Sequence, residues 1–176
     1  MFLINFAYTL NKQLTPIRTL ERILVLRRRR IMVSFKELNE QNHKIAERTK
    51  IILYMIKDRD ICNTDVTCDL FFDLTDTIKK HMDLEERELY KDLLTHSDKA
   101  VRTTAENFLS GSAAIKSVFK HYMKRWCHNK NLRIRNHDQF VQETTELFDM
   151  IETRMIKKTE KFYPVVRSVY GEQMAA

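Results

Sequence analysis

Glycine and proline are scarce in this chain. Its 176 residues include two glycines and two prolines, and the stretch from residue 17 to residue 163 has no proline and only one glycine, Gly111. Both residue types interrupt helices, so their scarcity predicts long α-helices and excludes a fold that depends on many tight turns. With 43% apolar and 10% aromatic residues, the chain can bury one core, and we expect one domain.

The sequence lacks the signatures of several functional classes of protein. No apolar run is long enough to cross a bilayer, so no integral membrane segment is expected. The three cysteines, Cys62, Cys68 and Cys127, are an odd number without a secretion signal, which predicts free thiols and a cytoplasmic location. No nucleophile beside a base, phosphate-binding loop or dinucleotide fingerprint is present, and we therefore predict that the protein is not an enzyme and has no catalytic residues.

Positive charge is concentrated at the N-terminus. Residues 1–31 contain seven basic residues and one acidic residue, a net charge of +6, which leaves +1 of the total of +7 for residues 32–176. Nucleic-acid binding requires a basic stripe. Because residues 32–176 have interspersed charges of both signs, no nucleic-acid partner is expected.

Residues 1–33 are interpreted as a basic extension that precedes the main domain. Two alternatives are open for it. It is a basic amphipathic anchor to an acidic membrane or partner, or it is not part of the mature protein, whose start is then Met32, just before a capping box formed by Ser34 and Glu37. The second alternative is preferred. Residues 34–170 are predicted to form the domain, and residues 171–176 a flexible tail.

Four segments of residues 34–170 have the periodicity of amphipathic helices. The predicted helices run from about Phe35 to Lys57, Val66 to Leu94, Lys99 to Cys127, and His137 to Phe162, with Pro164 ending the last pattern. Short connections join them. Four such helices bury their apolar stripes most simply as an all-α, up-down-up-down four-helix bundle.

A polar pair interrupts the apolar stripe of the second predicted helix. His81 and Glu85 are four residues apart on the face that carries Ile78 and Leu89, so both are predicted to point inward. A buried carboxylate needs a compensating charge, and imidazole with carboxylate is a ligand pair for iron or zinc. Counting from the first turn places His43 at the level of His81.

Three sequence stretches resemble the hemerythrin family, also known as HHE cation-binding domains. They are HMDLEERELY at residues 81–90, EQNHKIAERT at residues 40–49 and RMIKKTEKFYP at residues 154–164. The resemblance covers residues 34–168. It implies a hemerythrin-like four-helix bundle whose interior histidines and carboxylates hold non-haem iron, usually two ions, with dioxygen or nitric oxide as ligand. The implied roles are oxygen, redox or nitric-oxide sensing, and iron handling.

Carried over residue by residue, the resemblance assigns metal ligands at His81 and Glu85. On the first helix, the family spacing points to Asn42, whereas His43 matches in residue type. On the fourth helix, two cations, Arg154 and Lys158, stand where the family has a histidine and a carboxylate. Their charges would repel a metal ion, which argues against a complete di-iron centre.

Three hypotheses remain open. In the first, His43, His81 and Glu85 form a reduced metal site with open positions for water or oxygen. In the second, Arg154 or Lys158 pairs with Glu85, and the bundle is a metal-free regulatory or protein-interaction module. In the third, metal or redox chemistry lies at the other end of the bundle, where the cysteines and two further histidines are found.

Overall fold

A computed structural model describes residues 34–170, which lie within one compact unit. Six α-helices, a π-helical turn and a short antiparallel hairpin account for most of them. They are α1 Phe35–Met55, α2 Arg59–Cys62, α3 Asp65–Leu89, α4 Lys99–Trp126, β1 Cys127–His128, β2 Asn131–Leu132, α5 His137–Lys157, the π turn Lys158–Phe162 and α6 Tyr163–Tyr170. The prediction of a mainly α-helical protein is confirmed. The predictions for residues 1–33, including a start at Met32, and for residues 171–176 fall outside the described residues.

Polar side chains cap the long helices at their N-termini. Each cap accepts a hydrogen bond from a backbone N–H of the first turn, which otherwise has no partner inside the helix. The pairs are Ser34 with Glu37 at 3.1 Å, Thr64 with Thr67 at 3.3 Å, Asp98 with Ala100 at 2.7 Å and Asn136 with Gln139 at 3.0 Å. The predicted cap Ser34 is thus confirmed.

Aromatic side chains from three helices meet in the core. The ring of Phe71 on α3 lies 6.3 Å from that of Tyr122 on α4, and 6.2 and 6.4 Å from those of Phe140 and Phe148 on α5. α1 adds Ile45 and Ile52 to the same cluster and contacts both α3 and α5, while α4 contacts α5. Burial of these apolar faces accounts for the association of the helices.

The end of α5 differs from the sequence-based expectation. Pro164 does not stop the helical path, since α6 continues to Tyr170 after the π turn. A proline ring clashes with the carbonyl four residues earlier and has no N–H to donate. The wider π turn lies where that clash would occur, and Pro164 then falls in the first turn of α6, where a missing N–H is tolerated. None of the helices in residues 34–170 is long and apolar enough to cross a membrane.

Candidate functional site

His81 and Glu85 both point from α3 into the core. Their side chains are 3% and 1% exposed, and His81 Nε2 lies 3.6 Å from Glu85 Oε1. They share the buried face of α3 with Ile78 and Leu89, because residues four apart in a helix lie one turn above each other. The predicted inward orientation is therefore confirmed, and their role as metal ligands stays a prediction.

Lys158 supplies the charge opposite Glu85. Its Nζ donates to Glu85 Oε2, and the side chains of the pair are 5% and 1% exposed. Lys158 is the first residue of the π turn. The ion pair of the second hypothesis is thus present, and Lys158 rather than Arg154 forms it.

Tyr163 forms a hydrogen bond with the other oxygen of the same carboxylate. Its hydroxyl donates a hydrogen bond of 2.7 Å to Glu85 Oε1. In an α-helix, residues five apart differ in direction by about 140°, whereas an i to i+5 hydrogen bond brings them close to the same face. The N–H of Tyr163 makes that bond to the carbonyl of Lys158. The π turn is therefore what aims both side chains at Glu85.

The ionisation states suit this arrangement. Burial alone would raise the pKa of Glu85, but the adjacent His81 ring and the charge of Lys158 outweigh burial and lower the pKa to about 2. Burial lowers the pKa of Lys158, an effect that the contact with Glu85 opposes. Burial, and then the charge of Glu85, raise the pKa of Tyr163, which keeps its proton and can donate it. Glu85 is thus held as a carboxylate with a donor on each oxygen.

Gln41 is the residue of α1 that reaches His81. Gln41 Oε1 lies 2.9 Å from His81 Nδ1. An amide oxygen only accepts hydrogen bonds, so this contact assigns a proton to Nδ1. His81 Nε2 faces Glu85 and has no hydrogen-bond partner among the described residues.

His43 lies apart from this cluster, on the outer surface of α1. Its side chain is 73% exposed, and its Nε2 lies 3.2 Å from Glu47 Oε1. The buried residue Ile45 is two positions away, which corresponds to a rotation of about 200° around the helix. Counting from the turn gives the level of His43 correctly, but the register of α1 turns it away from His81 and Glu85. The structure thus does not bring together the three residues of the first hypothesis.

Arg154 binds α4 and not Glu85. Its Nη2 donates to the carbonyl oxygen of Phe108, and its guanidinium lies 4.6 Å from the centroid of the Phe108 ring. Gly111 leaves room for it, since a Cβ at that position would lie 2.8 Å from Arg154 Nη1. Gly111 of α4 thus accommodates a cationic side chain, which the sequence had not indicated.

A small cavity adjoins the ion pair. It has a volume of about 20 Å³, and its polar lining comes from His81, Glu85, Ser112, Arg154 and Lys158. That volume corresponds to about one water molecule. The interior around Glu85 is therefore closed to anything larger.

This arrangement of donors does not fit a divalent metal ion. Both oxygens of Glu85 already accept hydrogen bonds, one of them from an ammonium group whose charge repels a second cation. Among residues 34–170, no three or more His, Cys, Asp or Glu side chains are grouped in a way suited to a metal. Iron binding at His81 and Glu85 would require Lys158 to leave the carboxylate.

The thiols of the third hypothesis are free and at least partly buried. Burial raises the pKa of Cys62 and raises that of Cys127 to about 12. Cys68 Sγ donates to the carbonyl of Lys130 at 3.5 Å, and His137 Nε2 lies 2.8 Å from the carbonyl oxygen of Ile56. Metal ligation needs thiolates, and these surroundings favour thiols.

Comparisons of the chain with protein-family models, curated proteins and solved structures found no match. The resemblance to the hemerythrin family therefore stays a prediction based on the sequence stretches quoted above.

Proposed function

We propose that residues 34–168 are a hemerythrin-like, up-down-up-down four-helix bundle in which an internal ion pair replaces the metal centre. The protein would then be a metal-free regulatory or protein-interaction module of the cytoplasm. The observation that carries this proposal is the buried contact between Lys158 and Glu85. An ammonium group and a metal ion cannot both neutralise the same carboxylate.

Contacts among the long helices support the bundle. α1 contacts α3 and α5, and α4 contacts α5. Across the fourth interface, Lys116 of α4 lies 2.8 Å from Asp83 Oδ1 and also contacts Glu86, both on α3. Each long helix therefore has two neighbours, as in a closed four-helix bundle.

The network around Glu85 joins three parts of this bundle. Gln41 comes from α1, His81 and Glu85 from α3, and Lys158 and Tyr163 from the π turn and the start of α6. Buried ion pairs add little stability compared with apolar side chains, but breaking one by removing a single partner costs about 3–5 kcal/mol. We propose that this network fixes how the helices align.

At Glu85, a binding role is favoured over catalysis because the cavity beside the carboxylate is small. A cavity of about 20 Å³ admits no substrate larger than water. In the proposed module, the exterior of the bundle is therefore the part that meets other molecules.

One observation favours a second candidate, a non-haem iron site for sensing dioxygen or nitric oxide, or for iron handling. His81 Nε2 is buried without a hydrogen-bond partner in the described part of the chain and faces Glu85. An imidazole nitrogen in that state is a potential metal ligand.

Metal analysis of the full chain, purified from cells grown with added iron, separates the two candidates. The matched variants are Glu85→Gln, which removes the carboxylate, and Lys158→Met, which removes the competing cation. We expect no stoichiometric iron in the parent protein. Stoichiometric iron in the parent that is lost in Glu85→Gln would instead establish the iron site and overturn the metal-free proposal.

A further inference from the structure

Exposed apolar side chains are concentrated where α1, α2 and α3 meet. Eight large apolar side chains of residues 34–170 are exposed, and five of them lie between residues 51 and 70. They are Ile51, Tyr54, Ile61, Val66 and Leu70. Single exposed apolar residues need no explanation, but a cluster of them indicates an interaction site.

The alignment of α1 with α3 places four apolar residues at matching levels. Arg48 Nη1 on α1 lies 2.6 Å from Asp73 Oδ2 on α3. Because a short connection makes the two packed helices antiparallel, equal steps from this contact toward the connection reach the same level on both. Residues three and seven positions from the contact also share its helix face, so Ile51 is paired with Leu70, and Met55 with Val66. These four residues, together with Tyr54, are called the apolar strip.

Acidic side chains border the apolar strip. Between residues 50 and 76, which include the whole strip, six exposed aspartates outnumber three basic residues, Lys50, Lys57 and Arg59, for a net charge of −3 in a chain whose total is +7. The aspartates are Asp58, Asp60, Asp65, Asp69, Asp73 and Asp76. Asp58 caps α2 and Asp73 binds Arg48, whereas the side chains of the other four make no hydrogen bond or ion pair with the rest of residues 34–170. Their charges are therefore available to a partner.

We propose that the apolar strip and its aspartates are the docking site for a basic amphipathic helix of a partner protein. Apolar side chains three and four residues apart on that helix would cover Ile51, Val66 and Leu70, and lysines or arginines beside them would meet Asp65 and Asp69. Charge complementarity selects this occupant. The same aspartates repel an acidic segment and an anionic membrane surface. This inference rests on the proposed interaction role and names the class of partner.

Binding of a synthetic probe to the full chain tests the proposal. The probe is a fluorescently labelled helical peptide of leucines and lysines, about 18 residues or five turns long, with the two residue types on opposite faces. Two control peptides are a scrambled sequence of the same composition and a peptide with glutamate in place of lysine. Fluorescence anisotropy should detect binding of the first peptide alone, and added salt should weaken it.

Surface variants locate the binding. Leu70→Ser and Ile51→Ser should each weaken binding by about tenfold or more, as expected for residues at the centre of an interface. A double Asp65→Asn, Asp69→Asn variant should weaken it and reduce its salt dependence. The matched control is Ile156→Ser, an exposed isoleucine on α5, which should leave the affinity unchanged. Because all these positions are exposed, folding should be unaffected.

Each of the following results would overturn the docking site. They are absence of binding, equal binding of either control peptide, an equal loss in Ile156→Ser, and a dimer in sedimentation that Leu70→Ser dissociates, since a second copy would then be the occupant. Binding of anionic lipid vesicles that Leu70→Ser abolishes would count against it in the same way. The Glu85–Lys158 pair is tested by other experiments, namely metal analysis and unfolding of core variants. Failure of the docking site can therefore be distinguished from failure of the proposed metal-free bundle.

Discussion

The hydroxyl of Tyr163 donates a 2.7 Å hydrogen bond to the same carboxylate of Glu85 that binds Lys158. Two residues five positions apart thus hold one buried anion, and the π turn between them makes this possible. Both oxygens of the anion therefore accept hydrogen bonds from groups in the same segment of the chain.

Replacing Tyr163 should therefore destabilise the protein without touching the ion pair. Tyr163→Phe removes one donor from a buried carboxylate, and we expect the free energy of unfolding to fall by about 1–3 kcal/mol. Urea unfolding of the full chain measures it. Tyr54→Phe is the matched control, since Tyr54 is 77% exposed and its variant should match the parent. Equal stability of the two variants would show that the bond to Glu85 has no energetic role.

Acid should destabilise the protein through Glu85. Its pKa is lowered to about 2 in the folded state, so the unfolded state binds the proton more readily. The stabilisation contributed by the ionised Glu85 is then fully present above the ordinary carboxyl pKa of about 4.3. It is lost as the pH falls from there toward 2, and it amounts to on the order of 3 kcal/mol. Unfolding measured across this range in the parent and in Glu85→Gln tests it. The free energy of unfolding of the variant should depend less steeply on pH in this range. An equally steep dependence in the parent and the variant would contradict the assignment.

Gly111 and Arg154 should be energetically coupled. Alanine favours a helix over glycine by about 1 kcal/mol, but a Cβ at position 111 would displace the Arg154 guanidinium from the Phe108 carbonyl. Gly111→Ala should therefore give no gain, or a loss, in the parent, and a gain of about 1 kcal/mol in an Arg154→Met background. Thermal unfolding of the four proteins measures the coupling. The same effect in both backgrounds would mean that the glycine does not accommodate Arg154.

The exposed His43 should be dispensable. His43→Ala removes only a surface contact with Glu47, and we expect a change of less than about 0.5 kcal/mol in the free energy of unfolding. His81→Ala removes a buried ring and its bond to Gln41, so a loss above about 2 kcal/mol is expected. Chemical denaturation compares them. A loss in His43→Ala as large as in His81→Ala would contradict the outward placement.

Periodicity was sufficient to predict the long helices and the inward pair. Residues four apart on an apolar stripe must share the buried face, so His81 and Glu85 could be placed from the sequence. The opposing charge was also predictable, because Lys158 and Arg154 were the cations at that level. Which of the two would bind Glu85 depended on the local pitch of the helix, and the stripe pattern does not contain that information.

The contributions of Gln41 and Tyr163 were not predicted. Counting residues from a turn gives the level of a side chain along a helix but not its direction around the axis, and His43 was chosen for its level and its residue type. Tyr163 reaches Glu85 only because the π turn adds a residue to one turn of helix. The one available signal was Pro164, whose clash with the carbonyl four residues earlier requires a local change of pitch.

A double-mutant cycle on Glu85 and Lys158 tests the central claim most directly. Glu85→Gln, Lys158→Met and the double variant are unfolded with urea alongside the parent protein. If the two side chains neutralise each other in the core, each single variant leaves an uncompensated group and loses about 3–5 kcal/mol, whereas the double variant recovers most of that loss. Losses that simply add in the double variant would show that Lys158 does not neutralise Glu85, and would contradict the account.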